Sequence, residues 1–135
     1  MQQEAENTRV VQSAYAAFGR GDVDAILNTL TDDIVWLPVM GAGKAVPNAG
    51  ERRGKAAVRE FFKLTADNYQ FSRFEPREFV AQGDKVVTLG HYTASTPLKK
   101  TIDSDFVMVF TMKDGKVSQF QEFADAAQLN AAFAQ

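Results

Sequence analysis

No cysteine occurs in the 135 residues, and only one histidine, His91. The first absence removes disulfide frameworks, thiolate zinc sites, iron–sulfur ligation and any cysteine nucleophile; the second leaves too few imidazoles for the usual multi-histidine metal site. The expectation is a protein without metal or other cofactor. An excess of positive charge is missing as well. Lys+Arg 15 against Asp+Glu 17 give a formal net charge of -2 and a pI near 5.4, which offers no broad electropositive face for a phosphate backbone. Nucleic acid is therefore not an expected partner. No apolar run approaches the ~18–20 residues of a membrane span, and the start, Met1 to Asn7, has neither the basic nor the apolar region of a secretory signal. The chain reads as cytoplasmic, with no membrane partner. Repeats, low-complexity stretches and evident linkers are absent too, and the length suits one domain over residues 1–135 with a core that needs no staples.

What is plentiful is phenylalanine, 11 residues against 1 Trp and 3 Tyr. Phenylalanine brings large apolar area without a polar handle, so this excess predicts either a thick core or a greasy cavity. Val11, Ala14, Tyr15 and Phe18 fall at the spacing of a helix laying one face on a core, over about residues 4–19. Asp22 suits an N-cap for a second helix carrying Val23, Ile26, Leu27 and Leu30. The β-branched and aromatic run from Asp33 reads as a strand ending near Pro38. Residues 40–54, rich in Gly, Pro and Asn, form a long loop, which is either a lid or a surface excursion. Its basic residues Lys44, Arg52 and Arg53 read as solvated charge that an anionic ligand could recruit.

Val58, Phe61, Phe62 and Thr65 restore a helical stripe over about residues 55–66. Strands follow. Residues 71–80 are interrupted by Pro76, which implies an edge position or a bulge, and Gly83-Asp84 turns the chain into a strand from Lys85 to Thr96. The stretch from Ile102 to Met112 pairs with Lys116 to Ala124 across Asp114-Gly115, the signature of a type I′ hairpin, and Ala126 to Phe133 forms a last short helix. This order predicts an α+β fold with helices on one face of one curved sheet. In the closing hairpin Phe106, Met108, Phe110 and Met112 alternate with Val107 and Val109, so the strand is apolar on both faces and buried on both. If helices cover only one face, a second copy of the chain covers the other, which predicts a homodimer through the outer sheet face.

The succession Phe18-x-x-Gly21-Asp22-Val23-Asp24-Ala25-Ile26, Thr31-Asp32-Asp33-Ile34-Val35-Trp36 and Gly54-Lys55-Ala56-Ala57-Val58-x-x-Phe61-Phe62 resembles the SnoaL-like, ketosteroid-isomerase-like branch of the nuclear transport factor two superfamily. Phe79 to Val87, Val109 to Val117 and Phe120-Gln121-Glu122-Phe123-Ala124-Asp125 resemble its C-terminal landmarks, so the likeness runs from about Asn7 to Phe133. The resemblance implies a cone: a bent, mostly antiparallel sheet around helices, a deep apolar pocket at one end, and commonly a dimer through the outer sheet face. It also implies a menu of functions, from polyketide cyclases and isomerases to proteins that only bind ligands.

A carboxyl held in an apolar pocket loses the solvation of its charged form, and its pKa rises until it can serve as general base or acid. The steroid isomerases combine an Asp base with a Tyr and a protonated Asp. Those positions fall near Leu37-Pro38, at Ala14 beside Tyr15, and near Phe106, so that mechanism is not expected. An epoxide-hydrolase relay is a poor match too, since Arg77 lies beside Glu78 and near Pro76. The resemblance to the cyclases points to Asp125 as general base, against its competing role as the N-cap of the last helix. Glu122 shares its strand face with Phe120 and Ala124, so it and Asp125 do not both face inward without a bulge. His91 or Tyr15 would hold a developing oxyanion, while Asp103 and Asp105 read as rim charges of the dimer face. The expected ligand wall comprises Phe18, Trp36, Phe61 and Phe62, with Phe106, Met108, Phe120 and Glu122 from the closing hairpin. Two functions stay open: a cofactor-free cyclase or isomerase acting beside a carbonyl on a small hydrophobic molecule, or a non-catalytic domain binding such a molecule.

Overall fold

The computed structural model describes residues 2–135. The chain runs α1 (Gln2–Gly19), α2 (Val23–Leu27), β1 (Leu30–Leu37), β2 (Arg52–Arg53), α3 (Lys55–Asn68), β3 (Gln70–Gln82), β4 (Lys85–Ser95), β5 (Thr101–Lys113), β6 (Lys116–Phe123) and α4 (Ala126–Phe133). Local chemistry explains most boundaries. Asp22 caps α2 by accepting the Ala25 N–H at 3.1 Å. Asp114 and Gly115 both have positive φ, 51° and 79°, which a type I′ turn requires and which draws β5 and β6 into one hairpin.

The six strands make one mixed sheet in the order β2-β1-β6-β5-β4-β3, antiparallel except for the parallel pair β1 and β6. It wraps α1, which lies against β3 and β4, and α3, which lies against β1 and β2; α4 packs on β5. Pro76 sits on the edge strand β3 beside a register shift between Pro76 and Glu78, so both roles expected of it are met. On β5 the inward residues Phe106, Met108, Phe110 and Met112 are 2–7% exposed, whereas Val107 and Val109 are only partly covered on the other face.

Two segments differ from the sequence expectation. Leu30 belongs to β1 rather than to the second helix, which stops after five residues because Thr29 bonds back to the Ile26 carbonyl through both its N–H (2.9 Å) and its hydroxyl (2.6 Å). The long loop holds the two-residue strand β2, paired with Val35 and Trp36, and it is tied down along its length. The Gly43 N–H donates to Asn130 Oδ1 at 2.7 Å, and the Met40 N–H to the Glu122 carbonyl at 3.2 Å. Val46 and Asn48 are buried in it, so the loop is a wall of the interior.

Candidate ligand cavity and its single acid

Between the helices and the inner sheet face lies a cavity of about 90 Å³. α1 contributes Tyr15 and Phe18, α3 contributes Phe61 and Phe62, and the loop contributes Val46 and Asn48. Trp36 of β1 stacks on its parallel-register partner Phe120 of β6, with centroids 3.9 Å apart and planes at 18°. Phe61 and Phe62 meet the indole edge-on at 5.6 and 5.5 Å. Such offset and edge contacts fix ring positions beyond what area burial alone would do. The phenylalanine excess is thus both core and cavity wall.

Into this apolar enclosure β6 projects Glu122, opposite Met108 of β5 and on the same face as Phe120. The residue is 8% exposed, and its carboxyl has no hydrogen-bond partner among the described residues. Two effects usually compete at a buried acid, loss of water and gain of donors. Only the first operates here, and it pushes the Glu122 carboxyl up to about 7. Three tyrosines line the same cavity: Tyr15, Tyr69 and Tyr92. Burial, followed for Tyr69 and Tyr92 by the nearby Glu122 charge, raises their phenols, so all three remain protonated at neutral pH. The Tyr15 hydroxyl donates to Met108 Sδ at 3.0 Å. The Tyr69 hydroxyl donates to Asn48 Oδ1 at 2.9 Å. The Tyr92 hydroxyl has no partner among the described residues, and the buried Trp36 Nε1 has none either. Among the described residues the cavity therefore holds one carboxyl and one unengaged phenol donor.

Of the residues expected to act on a ligand, Tyr15, Phe18, Trp36, Phe61, Phe62, Met108, Phe120 and Glu122 line the cavity. Phe106 does not: it lies beneath the wall, stacked on Phe74 at 5.2 Å and seated over Gly90, where an added Cβ would come within 2.4 Å of its ring. Asp125 is exposed and caps α4, accepting the Gln128 N–H at 3.2 Å and the Gln128 side-chain amide at 2.9 Å. Those bonds hold it below the usual carboxylate range, which favours the charged form and leaves it no proton to manage near pH 7. Glu122 faces inward on β6, whereas Asp125 lies beyond the end of that strand at the cap of α4. His91 is on the outer sheet face, its Nδ1 2.8 Å from Asp105 and its Nε2 2.6 Å from Asp103. Both nitrogens are committed there, and bonding to Asp105 and then Asp103 raises its pKa.

Sequence reasoning passed over Tyr69, Tyr92 and Asn48. Tyr92 was readable in principle, because it alternates with the outward set Val87, Leu89 and His91 on β4. Asn48 lies in irregular loop and carried no such signal. No group of three or more His, Cys, Asp or Glu side chains among the described residues is arranged to hold a metal ion, and no described helix is long and apolar enough to cross a membrane. Lys44, Arg52 and Arg53 do not line the cavity, and Arg53 pairs with Glu51 at 2.6 Å.

A single mixed sheet wrapped around helices places the chain in the nuclear-transport-factor-two-like class of α+β domain. Within it, the SnoaL-like domain model matches residues 11–120, and the chain belongs to that family. Among solved structures, an NTF2-like protein from Burkholderia xenovorans LB400 is 32% identical with a TM-score of 0.88, over 97% of this chain and 98% of that one. TerC, co-crystallised with polyporic acid, is 29% identical with a TM-score of 0.84, over 95% and 98% of the two chains. A protein proposed to be a polyketide cyclase, from Xanthomonas campestris pv. campestris, shares the fold at 21% identity and a TM-score of 0.74, over 97% and 98%. A search of the curated proteins found no match.

Proposed function

We propose that the cavity binds a small, uncharged, largely apolar carbonyl compound and that Glu122 moves a proton at the carbon beside the carbonyl, without a cofactor. The observation that carries this reading is the unpartnered Glu122 carboxyl, raised to about 7 by burial alone. At that value the ionised base and the neutral acid are both populated near pH 7, which is where a general base works best. The ionised carboxylate removes the proton, and the electrons of the broken C–H bond move onto the carbonyl oxygen. The unengaged Tyr92 hydroxyl donates to that oxygen as charge builds. Return of the proton to a different carbon gives isomerisation; attack of the enolate carbon on a second carbonyl gives cyclisation. The likeness to TerC, solved with polyporic acid, supports a small-molecule ligand.

The test follows deuterium exchange at the methyl group of acetophenone in D₂O, with the protein in catalytic and then stoichiometric amounts. Wild type should exceed Glu122→Gln by about 100-fold or more, the usual span of general-base catalysis. Equal rates in the two proteins sink the catalytic reading. A second reading, retention of such a molecule without turnover, is favoured by the scarcity of charged groups: among the described residues Glu122 is the only carboxyl lining the cavity, and no basic side chain joins it. Binding of acetophenone without Glu122-dependent exchange would select it. We also propose that a second copy of the chain covers the outer sheet face, where Leu89 is 37% and Phe123 43% exposed beside the half-buried Val107 and Val109.

A further inference from the structure

The wall of the cavity contains a hydrogen-bond chain whose direction is fixed from one end. Thr65 Oγ1 donates its only proton to the Phe61 carbonyl, one turn back in α3, at 2.8 Å. Towards Asn48 it can then only accept. Asn48 must present its amide, and Nδ2 stands 2.9 Å from Thr65 Oγ1. That turns Asn48 Oδ1 towards Tyr69, and since this oxygen carries no proton, the Tyr69 hydroxyl is the donor across their 2.9 Å contact. The one phenolic proton of Tyr69 is thus committed inside the protein. No described residue donates to Tyr69 Oη, so its lone pairs are free for the cavity it lines. Tyr92 is the converse: its hydroxyl finds no acceptor among the described residues and is free to donate. Two tyrosines of identical chemistry therefore make opposite demands on whatever enters, Tyr92 asking for an acceptor and Tyr69 for a donor.

We propose that Tyr69, locked by Asn48 and Thr65, is a specificity residue, and that the ligand of this site carries an O–H or N–H donor in addition to its carbonyl. The inference rests on the cavity being the ligand site described above. A ligand without the donor leaves the lone pairs of the buried Tyr69 oxygen without a donor, and discrimination of about tenfold follows from one such unmet bond. Among the described residues no Lys, Arg or His lines the cavity, so the donor belongs to an uncharged molecule rather than to one that must be held by a cation.

Wild type tests this first. Acetophenone, its 3- and 4-hydroxy derivatives and the matching methoxy derivatives are titrated at pH 6, following the indole N–H signal of Trp36, the single tryptophan, by NMR. At least one hydroxy compound should bind about tenfold more tightly than both acetophenone and its own methoxy ether, which keeps the oxygen but loses the proton. Tyr69→Phe should erase that preference, and Thr65→Val, which frees Asn48 to turn over, should reduce it. Equal affinities across the series in wild type overturn the role of Tyr69 and leave the ligand site standing. Failure of the entire series to bind overturns the ligand-site reading and this inference with it. If Tyr69→Phe does not fold, the hydroxy-against-methoxy comparison in wild type still decides.

Discussion

Glu122 and Asp125 stand three residues apart with the same functional group, and their surroundings drive them in opposite directions. Asp125 keeps water and gains donors from Gln128, so its charged form is favoured; Glu122 loses water and gains nothing. For Glu122 this has a thermodynamic consequence. A carboxyl whose folded value lies above its ordinary 4.5 binds its proton more tightly when folded, so it adds no penalty below pH 4.5 and an increasing one as pH rises to about 7. Over that shift the penalty reaches about 3 kcal/mol above pH 7, at 1.36 kcal/mol per unit. Wild type should therefore lose stability relative to Glu122→Gln between pH 5 and pH 8, as read by urea unfolding at each pH. Parallel stability profiles for the two proteins would contradict the burial of an unpaired acid. Alternation along the last strand, which ends at Phe123 before Asp125, is visible in the sequence. Which face turns inward is not, because that depends on how β6 meets β1 and β5, contacts far apart along the chain.

At the scale of elements, the helices, the closing hairpin and the break at Pro76 follow from periodicity and turn chemistry that each segment carries within itself. The loop over residues 40–54 does not, since its order comes from Asn130 of α4 and Thr65 of α3 reaching across to it. The same limit applies to Gly90. Nothing in its neighbourhood in sequence marks it, yet β3 bends towards it at the Pro76 irregularity, and an added Cβ would lie 2.4 Å from both the Glu75 carbonyl oxygen and the Phe106 ring. One of these contacts is rigid backbone and the other a fully packed ring, so neither yields cheaply. Gly90→Ala should destabilise by about 3 kcal/mol or more, the upper range for overpacking, and lower the melting temperature accordingly. A variant melting within a degree of wild type would show that β3 and β4 are not in such close approach.

For the whole molecule, a sheet covered on one face by helices leaves the other to water or to a partner. That outer face joins Leu89, Val107 and Phe123 to the His91, Asp103 and Asp105 cluster, an apolar centre with a charged margin suited to a self-complementary contact. Light scattering after size exclusion should give a dimer at micromolar concentration, and Val107→Asp should convert it to a monomer without loss of helix or sheet signal. A wild-type monomer would remove the outer face as an interface. Both the proposed chemistry and the pH dependence depend on a largely apolar cavity that buries the Glu122 carboxyl. A ¹³C NMR titration of the glutamate side-chain carboxyls, with Glu122 assigned by its loss in Glu122→Gln, measures that directly. The expected midpoint for Glu122 is about 7; a midpoint at the ordinary value of 4.5 would contradict the burial of this acid.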